Sequence, residues 1–263
     1  MRKLLSMQHR GLCLPVAVLL LSVALLGKAR AQDADNDGFT DAQETTGIQL
    51  IPGVTLPGGI SFLGRCGANA LATDPCVDPN GPDVFVILVR AAGSRIPANP
   101  LAFMVNLSPA LGVHEISNST DRLISSVNVQ QKAIRITEDR NTNDTIWGRS
   151  LFQGTPNTLG GGEATVFTER IKLALDQKYQ SVGQAAAPQT VVDNCVRHTI
   201  AHESGHNEAI SPTANSRFGG NHYATSDKVV MSQSATITVK GSTVTVICPN
   251  TYASPDITSF KLN

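Results

Sequence analysis

Two histidines four residues apart constrain the fold of this 263-residue chain more than any other feature of its sequence. His202 and His206 enclose the sequence Glu-Ser-Gly, and residues four apart lie one turn above the other on the same face of a helix. Both imidazoles can then reach one ion, and zinc is well suited to a pair of nitrogen ligands. The spacing therefore predicts a helix that carries a metal site on one face.

Glu203 directly follows the first of these histidines, so on a helix its carboxylate projects beside the metal rather than onto it. Zinc acidifies a water molecule and polarises a carbonyl group, and a carboxylate in this place can take the proton. Thr190 with Asp193 three residues later indicates a capping box at the helix start, and Ser211-Pro212 is expected to end the helix. The sequence thus predicts a general base beside two zinc ligands.

A third zinc ligand is needed, and three residues near the helix are candidates for it: His198, Glu208 and His222. A set that included His198 would stretch over eight residues, about 12 Å of helical rise, which is too far for one ion. Glu208 lies two residues past His206 and is turned by about 200° around the axis, away from the metal. His222 follows two glycines that allow the backbone to return across the site. We therefore expect zinc to be bound by His202, His206 and His222.

The same region resembles the metzincin-like secreted zinc metallopeptidases, in which a helical HExxH, a later third histidine and a methionine-containing turn form the site. Residues 229–232, Val-Val-Met-Ser, correspond to that turn. The chain departs from the standard string at Ala209 and Pro212, and the segment from Ser211 to Asn221 is similar to the insertion that precedes the third histidine in leishmanolysin. The resemblance covers roughly residues 190–235.

This resemblance implies a zinc-dependent endopeptidase that acts on a protein or peptide substrate, with an α+β fold, a twisted mixed sheet and an active-site helix. Hydrolysis would use Glu203 to deprotonate the attacking water. Tyr223, beside the third ligand, is a candidate for a second group that stabilises the oxyanion. The competing class is a non-enzymatic, calcium-dependent surface-binding protein with a structural or degenerate zinc site.

Residues 1–31 have a basic start, an apolar run of about 15 residues and the small-x-small sequence Ala29-Arg30-Ala31. This pattern predicts a signal peptide cleaved after Ala31, hence a secreted or periplasmic protein without stable membrane insertion; an uncleaved anchor is the alternative. Cleavage removes five of the 21 basic residues and none of the 21 acidic ones, which leaves 16 against 21 and a net charge of −5. Nucleic-acid binding is therefore disfavoured, and we expect a monomer.

An acidic stretch at the start of the mature chain has acids at positions 1, 3, 5, 9 and 12 of a loop and glycine at position 6, the pattern of a calcium loop. Only Gln32 precedes it, so there is no room for an entering helix, and it is similar to the solitary loops of thrombospondin type 3 repeats or dockerins. We expect a structural role; an acidic, solvated terminus is the alternative. The expected calcium ligands are Asp33, Asp35, Asp37, the carbonyl of Phe39, Asp41 and Glu44.

Patterning divides the rest of the chain into a linker and a sheet domain. Four cysteines follow residue 31, and in an oxidising compartment we expect the pairs Cys66–Cys76 and Cys195–Cys248. Strands are predicted at 83–89, 111–116, 132–138 and 163–167. The first should be a buried central strand, and one of the next two would be the sheet edge that receives substrate. A helix is predicted at 168–179 and a C-terminal hairpin at 235–247. The expected organisation is a signal peptide at 1–31, a calcium loop and linker at 32–82 and a metallopeptidase domain at 83–263.

Overall fold

The structure, a computed structural model, describes residues 32–35, 37–106, 111–117, 124–125, 132–151, 162–207, 229–232 and 235–252. The predicted signal peptide and the predicted helix end at Ser211-Pro212 lie outside these residues. The described part combines helices with two mixed sheets and one antiparallel sheet, in agreement with an α+β class. No helix within it is both long and apolar enough to cross a lipid bilayer.

The N-terminal part contains one short helix and a small sheet. Its elements are α1 (Asp41–Thr46), β1 (Ile48–Gln49), β2 (Phe62–Arg65) and β3 (Cys76–Val77). Strand β2 pairs antiparallel with β1 and parallel with β3. A disulfide joins Cys66 to Cys76, so the first predicted pairing is confirmed.

The larger sheet has five strands in the order β5-β4-β6-β8-β7. They are β4 (Asp83–Val89), β5 (Gly112–Ile116), β6 (Ile134–Asp139), β7 (Gly148–Ser150) and β8 (Gly162–Phe167). The pairings of β4 with β5, β4 with β6 and β6 with β8 are parallel, whereas β7 runs antiparallel to β8. The four predicted strands are confirmed, and the sheet also contains β7, which the sequence did not predict.

Strand position corrects one expectation about substrate binding. The segment at 132–138, a candidate for the substrate-receiving edge, is the central strand β6 of the sheet. Strand β5 is at one edge, but the helix that carries the histidines lies against β7 and β8 at the other edge. The edge strand beside the predicted metal site is therefore β7.

Both faces of β4 are buried, which explains its continuous apolar sequence. Val84 and Val86 belong to a core shared with the two long helices. Phe85 and Ile87 point to the opposite face, into a second core formed with the N-terminal segment. The alternation places the acidic loop and the histidine helix on opposite sides of one sheet.

Helix α2 (Thr168–Gln180) follows β8 directly in the chain. A short connection then leads to α3 (Gln189–Asn207). Helix α2 is amphipathic as predicted and buries Ile171 and Leu175. The capping box predicted at Thr190 is wrong, because the carbonyl of Pro188 already accepts a hydrogen bond from the backbone N–H of Val192. Thr190 therefore lies inside the first turn of α3 rather than at its cap.

The C-terminal hairpin is confirmed and consists of β9 (Thr236–Lys240) and β10 (Thr243–Ile247), paired antiparallel. A disulfide between Cys195 and Cys248 ties α3 to the segment after β10, which confirms the second predicted pairing. The hydroxyl of Tyr252 donates to the carbonyl oxygen of Ala201 over 2.9 Å. The histidine helix is thus fixed to the end of the described chain by a covalent bond and a hydrogen bond.

Candidate metal centre

His202 and His206 lie on α3 with their Nε2 atoms 3.2 Å apart. Both side chains are buried, and their rings meet edge to face with centroids 4.8 Å apart. Two nitrogens that bind one zinc ion at 2.0–2.1 Å in tetrahedral geometry are separated by about 3.4 Å. The imidazole pair therefore has the spacing that a shared metal ion requires.

A turn at residues 229–232 fixes the tautomer of His202. The backbone N–H of Ser232 donates to the carbonyl oxygen of Val229, which closes the turn, and Met231 at its tip is fully buried. The Nδ1 atom of His202 lies 2.7 Å from the carbonyl oxygen of Val230. A carbonyl oxygen can only accept, so Nδ1 carries the proton and Nε2 keeps a lone pair directed at His206. Such a backbone partner behind a ligand is typical of metal-binding histidines.

Glu203 lies against the edge strand of the sheet. A Cβ atom placed on Gly148 of β7 would be 2.5 Å from Oε1 of Glu203 and 2.7 Å from its Cγ. The absence of a side chain at this position is what allows the carboxylate to approach the strand. Burial raises the pKa of Glu203 to about 8 in the metal-free protein.

A groove with a cavity of about 830 Å³ runs between β7 and α3. His202, Glu203 and His206 line one wall, and residues 145–151, which include β7, line the other. Ile146 and Leu151, on either side of β7, are large apolar side chains exposed to solvent. The groove thus combines a potential metal site with a strand edge and apolar walls.

His198 occupies a different position from the other two histidines of α3. Its Nδ1 atom donates to the carbonyl oxygen of Pro249 over 2.8 Å, and its ring centroid is 5.9 Å from that of His202. Burial lowers its pKa to about 4, so the imidazole is neutral at pH 7. These contacts give His198 a structural role in joining α3 to the C-terminal segment.

The other residues predicted near the metal lie outside the described part of the chain, namely Glu208, His222 and Tyr223. Within the described part, the side-chain clusters in which three possible metal ligands approach one another both lie in the acidic N-terminal region. His198 does not complete such a cluster with His202 and His206. The identity of the third zinc ligand therefore stays a prediction.

The predicted calcium loop brings the carboxylates of three aspartates close together. Gly38, at loop position 6, has a φ of 94°, a conformation that a residue without a Cβ adopts at little cost. The backbone N–H of Gly38 donates to Asp33 and that of Phe39 donates to Asp37, so the carboxylates fold inward over the loop. One carboxylate oxygen from each of Asp33, Asp35 and Asp37 lies within 4.8 Å of the others.

Several carboxylate oxygens of this loop are buried without a hydrogen-bond partner. They are Oδ1 of Asp33, Oδ2 of Asp35 and both Oε atoms of Glu44. The pKa of Glu44 is raised to about 10, mainly by burial and to a lesser extent by repulsion from neighbouring acids. Hard oxygen atoms left in this state fit a divalent cation such as calcium, which would neutralise them.

Asp83 also belongs to this acidic region. The sequence alone indicates only that this residue begins a strand. A carboxylate oxygen of Asp83 lies within 4.8 Å of oxygens of both Asp37 and Glu44. No spacing rule connects residue 83 with the loop, so only the folded arrangement could reveal it.

Comparison with known proteins gave no matching family model, no similar curated protein and no similar solved structure.

Proposed function

We propose that this chain is an exported zinc-dependent endopeptidase with a metzincin-like fold. The zinc ligands are His202, His206 and His222, and the general base is Glu203. The observation that carries the proposal is the 3.2 Å separation of two buried imidazole nitrogens on the helix that also bears Glu203, at a groove bordered by a strand edge. The two disulfides support export, because such bonds persist in oxidising compartments.

Zinc, when bound, supplies a Lewis acid that polarises the scissile carbonyl group and acidifies water. Glu203 takes the proton from the attacking water and passes it to the leaving amine. With the proton on Nδ1, the nitrogen of His202 that would bind the metal is Nε2.

The substrate would be held as an extended peptide along β7. This strand pairs with β8 on one side and ends the five-stranded sheet on the other. An extended segment can add to such an edge through backbone hydrogen bonds, which accommodate many sequences. Exposed Ile146 and Leu151 on the wall of the groove would contact apolar side chains of the bound peptide.

Metal analysis combined with a protease assay on the purified mature chain tests the proposal. We expect one zinc per chain at the histidine site and cleavage of unfolded protein that is lost with a zinc chelator and restored by zinc. Stoichiometric zinc without any cleavage would favour a structural zinc site in a binding protein. A chain that binds no zinc would contradict the proposal.

Substitution of Gly148 by alanine tests the contact between β7 and Glu203. The new Cβ would collide with the carboxylate at 2.5 Å, so Glu203 must move. We expect kcat/KM to fall by about 10- to 100-fold while zinc content is unchanged, because small displacements of a reacting group cost that much. Gly67→Ala is the matched control, since its added methyl group meets no atom within 4 Å. Equal activity of G148A and G67A would contradict this placement of the base.

A second part of the proposal is that the loop from Asp33 to Glu44 binds calcium for stability. Calcium at about 100 times its Kd should raise the Tm by about 5–10 °C, because it binds the folded chain and not the unfolded chain. Asp35→Asn should abolish this dependence and leave the turnover of the folded enzyme nearly unchanged. Glu115→Gln removes an equal charge from the exposed pair with Arg90 and should respond to calcium like the parent. Calorimetry that detects no calcium binding to the parent would refute the loop assignment.

A further inference from the structure

Asp83, the first residue of β4, forms a hydrogen bond with Asp37 of the acidic loop, which lies 46 residues earlier in the chain. Its backbone N–H donates to Oδ2 of Asp37 over 2.9 Å. One of its carboxylate oxygens lies within 4.8 Å of carboxylate oxygens of Asp37 and Glu44. The three side chains are at most 2% exposed, so this acidic cluster is closed off from bulk water.

The charge of this cluster is poorly compensated by protein groups. Both carboxylate oxygens of Glu44 are buried and accept no hydrogen bond. Oδ1 of Asp83 is 2.6 Å from Nε2 of His114, which is the basic side chain that contacts the cluster among the described residues. One imidazole cannot balance three buried carboxylates, and unpaired charges in such a place are costly. A cation would neutralise them.

We propose that Asp37, Glu44 and Asp83 together hold a calcium ion, so that Asp83 is a ligand supplied from outside the loop. The cluster shares Asp37 with the trio of Asp33, Asp35 and Asp37. Carboxylate oxygens select a hard cation, and calcium tolerates the irregular, partly bidentate geometry that a glutamate offers. Magnesium keeps several of its waters, which a closed acidic cluster does not accommodate. This inference rests on the proposed calcium loop and is independent of the zinc site.

Calcium held in this way would fasten the loop to the sheet. Phe39 of the loop packs edge to face on Phe85 of β4, with ring centroids 6.2 Å apart, next to the acidic cluster. The opposite face of β4 carries Val84 and Val86, which pack in the core that includes α3. A ligand at Asp83 therefore links the ion to a strand whose other face lies in the core that includes α3.

Calcium titration of the full mature chain, followed by calorimetry, tests the role of Asp83. Asp83→Asn keeps the shape of the side chain and an acceptor for His114 but removes the charge. We expect the variant to bind calcium about tenfold more weakly or to lose one bound ion, because affinity follows the number of charged ligands. Glu115→Gln, on the neighbouring strand β5, removes the same charge at an exposed ion pair and should match the parent.

The outcomes separate this inference from the loop assignment. An Asp83→Asn variant with the affinity and stoichiometry of the parent overturns the role of Asp83 and leaves the loop intact. A parent that binds no calcium overturns both, and neither result bears on zinc or on cleavage.

Hydrogen exchange of the parent provides a test that does not depend on the folding of the variant. Calcium should slow exchange in peptides that cover the loop and also in the peptide that contains the Asp83 amide, whose N–H bonds to Asp37. Protection of the loop alone, with unchanged exchange at residue 83, would overturn the proposal.

Discussion

Glu203→Gln is expected to lower peptidase activity by roughly 10²–10⁴-fold, the range typical of the loss of a general base. Glutamine keeps the shape of the side chain and fits beside Gly148, but it cannot accept a proton. Zinc content should not change, since the two histidine nitrogens remain in place. The measurement is kcat/KM on unfolded protein together with metal analysis of the same sample.

The same substitution should also affect the stability of the metal-free protein. Burial raises the pKa of Glu203, so a neutral side chain costs less in this position than a carboxylate. We therefore expect the metal-free Glu203→Gln protein to unfold at the same temperature as the parent or above it. Glu115→Gln, at the exposed pair with Arg90, serves as control for both measurements. Full activity in the Glu203 variant would remove the base from the proposed mechanism.

The parts of the fold with regular periodicity were predictable from the sequence. Ile171 and Leu175 are four residues apart in α2, and both are buried as that spacing implies. The hairpin of β9 and β10 follows from alternation around Gly241, which adopts a φ of 57°. In these elements the local pattern and the tertiary contacts favour the same structure, so local reasoning was sufficient.

Strand β7 was not predictable, because Gly-Arg-Ser has neither alternation nor β-branched residues. It is a strand because β8 provides a partner, and its glycine is needed because Glu203 of α3 approaches it closely. Asp83 is a similar case, since its position beside Glu44 depends on how β4 docks onto the loop. The support of His202 by Val230 comes from a backbone carbonyl, which no side-chain pattern indicates.

The identity of the third zinc ligand is tested most directly by comparing two histidine substitutions, His198→Ala and His222→Ala. In the first case we expect zinc and activity to be retained. The ring of His198 is turned toward Pro249, and its loss removes a buried hydrogen bond at a cost of about 1–3 kcal/mol in stability. A lower Tm with normal kcat/KM per folded molecule is the expected result.

His222→Ala is expected to lose both zinc and activity. The loss of zinc affinity should exceed the roughly 10–100-fold that results from removing a group that only supports a ligand. The pair formed by His202 and His206 leaves two positions of a tetrahedral ion to be filled, one by the protein and one by water. His198 does not form a cluster of three possible ligands with this pair, and a continued helix would turn Glu208 away from the metal. His222 is the remaining candidate near the helix. Full zinc occupancy in the His222 variant, with zinc lost from the His198 or Glu208 variant, would overturn both this assignment and the metzincin-like resemblance.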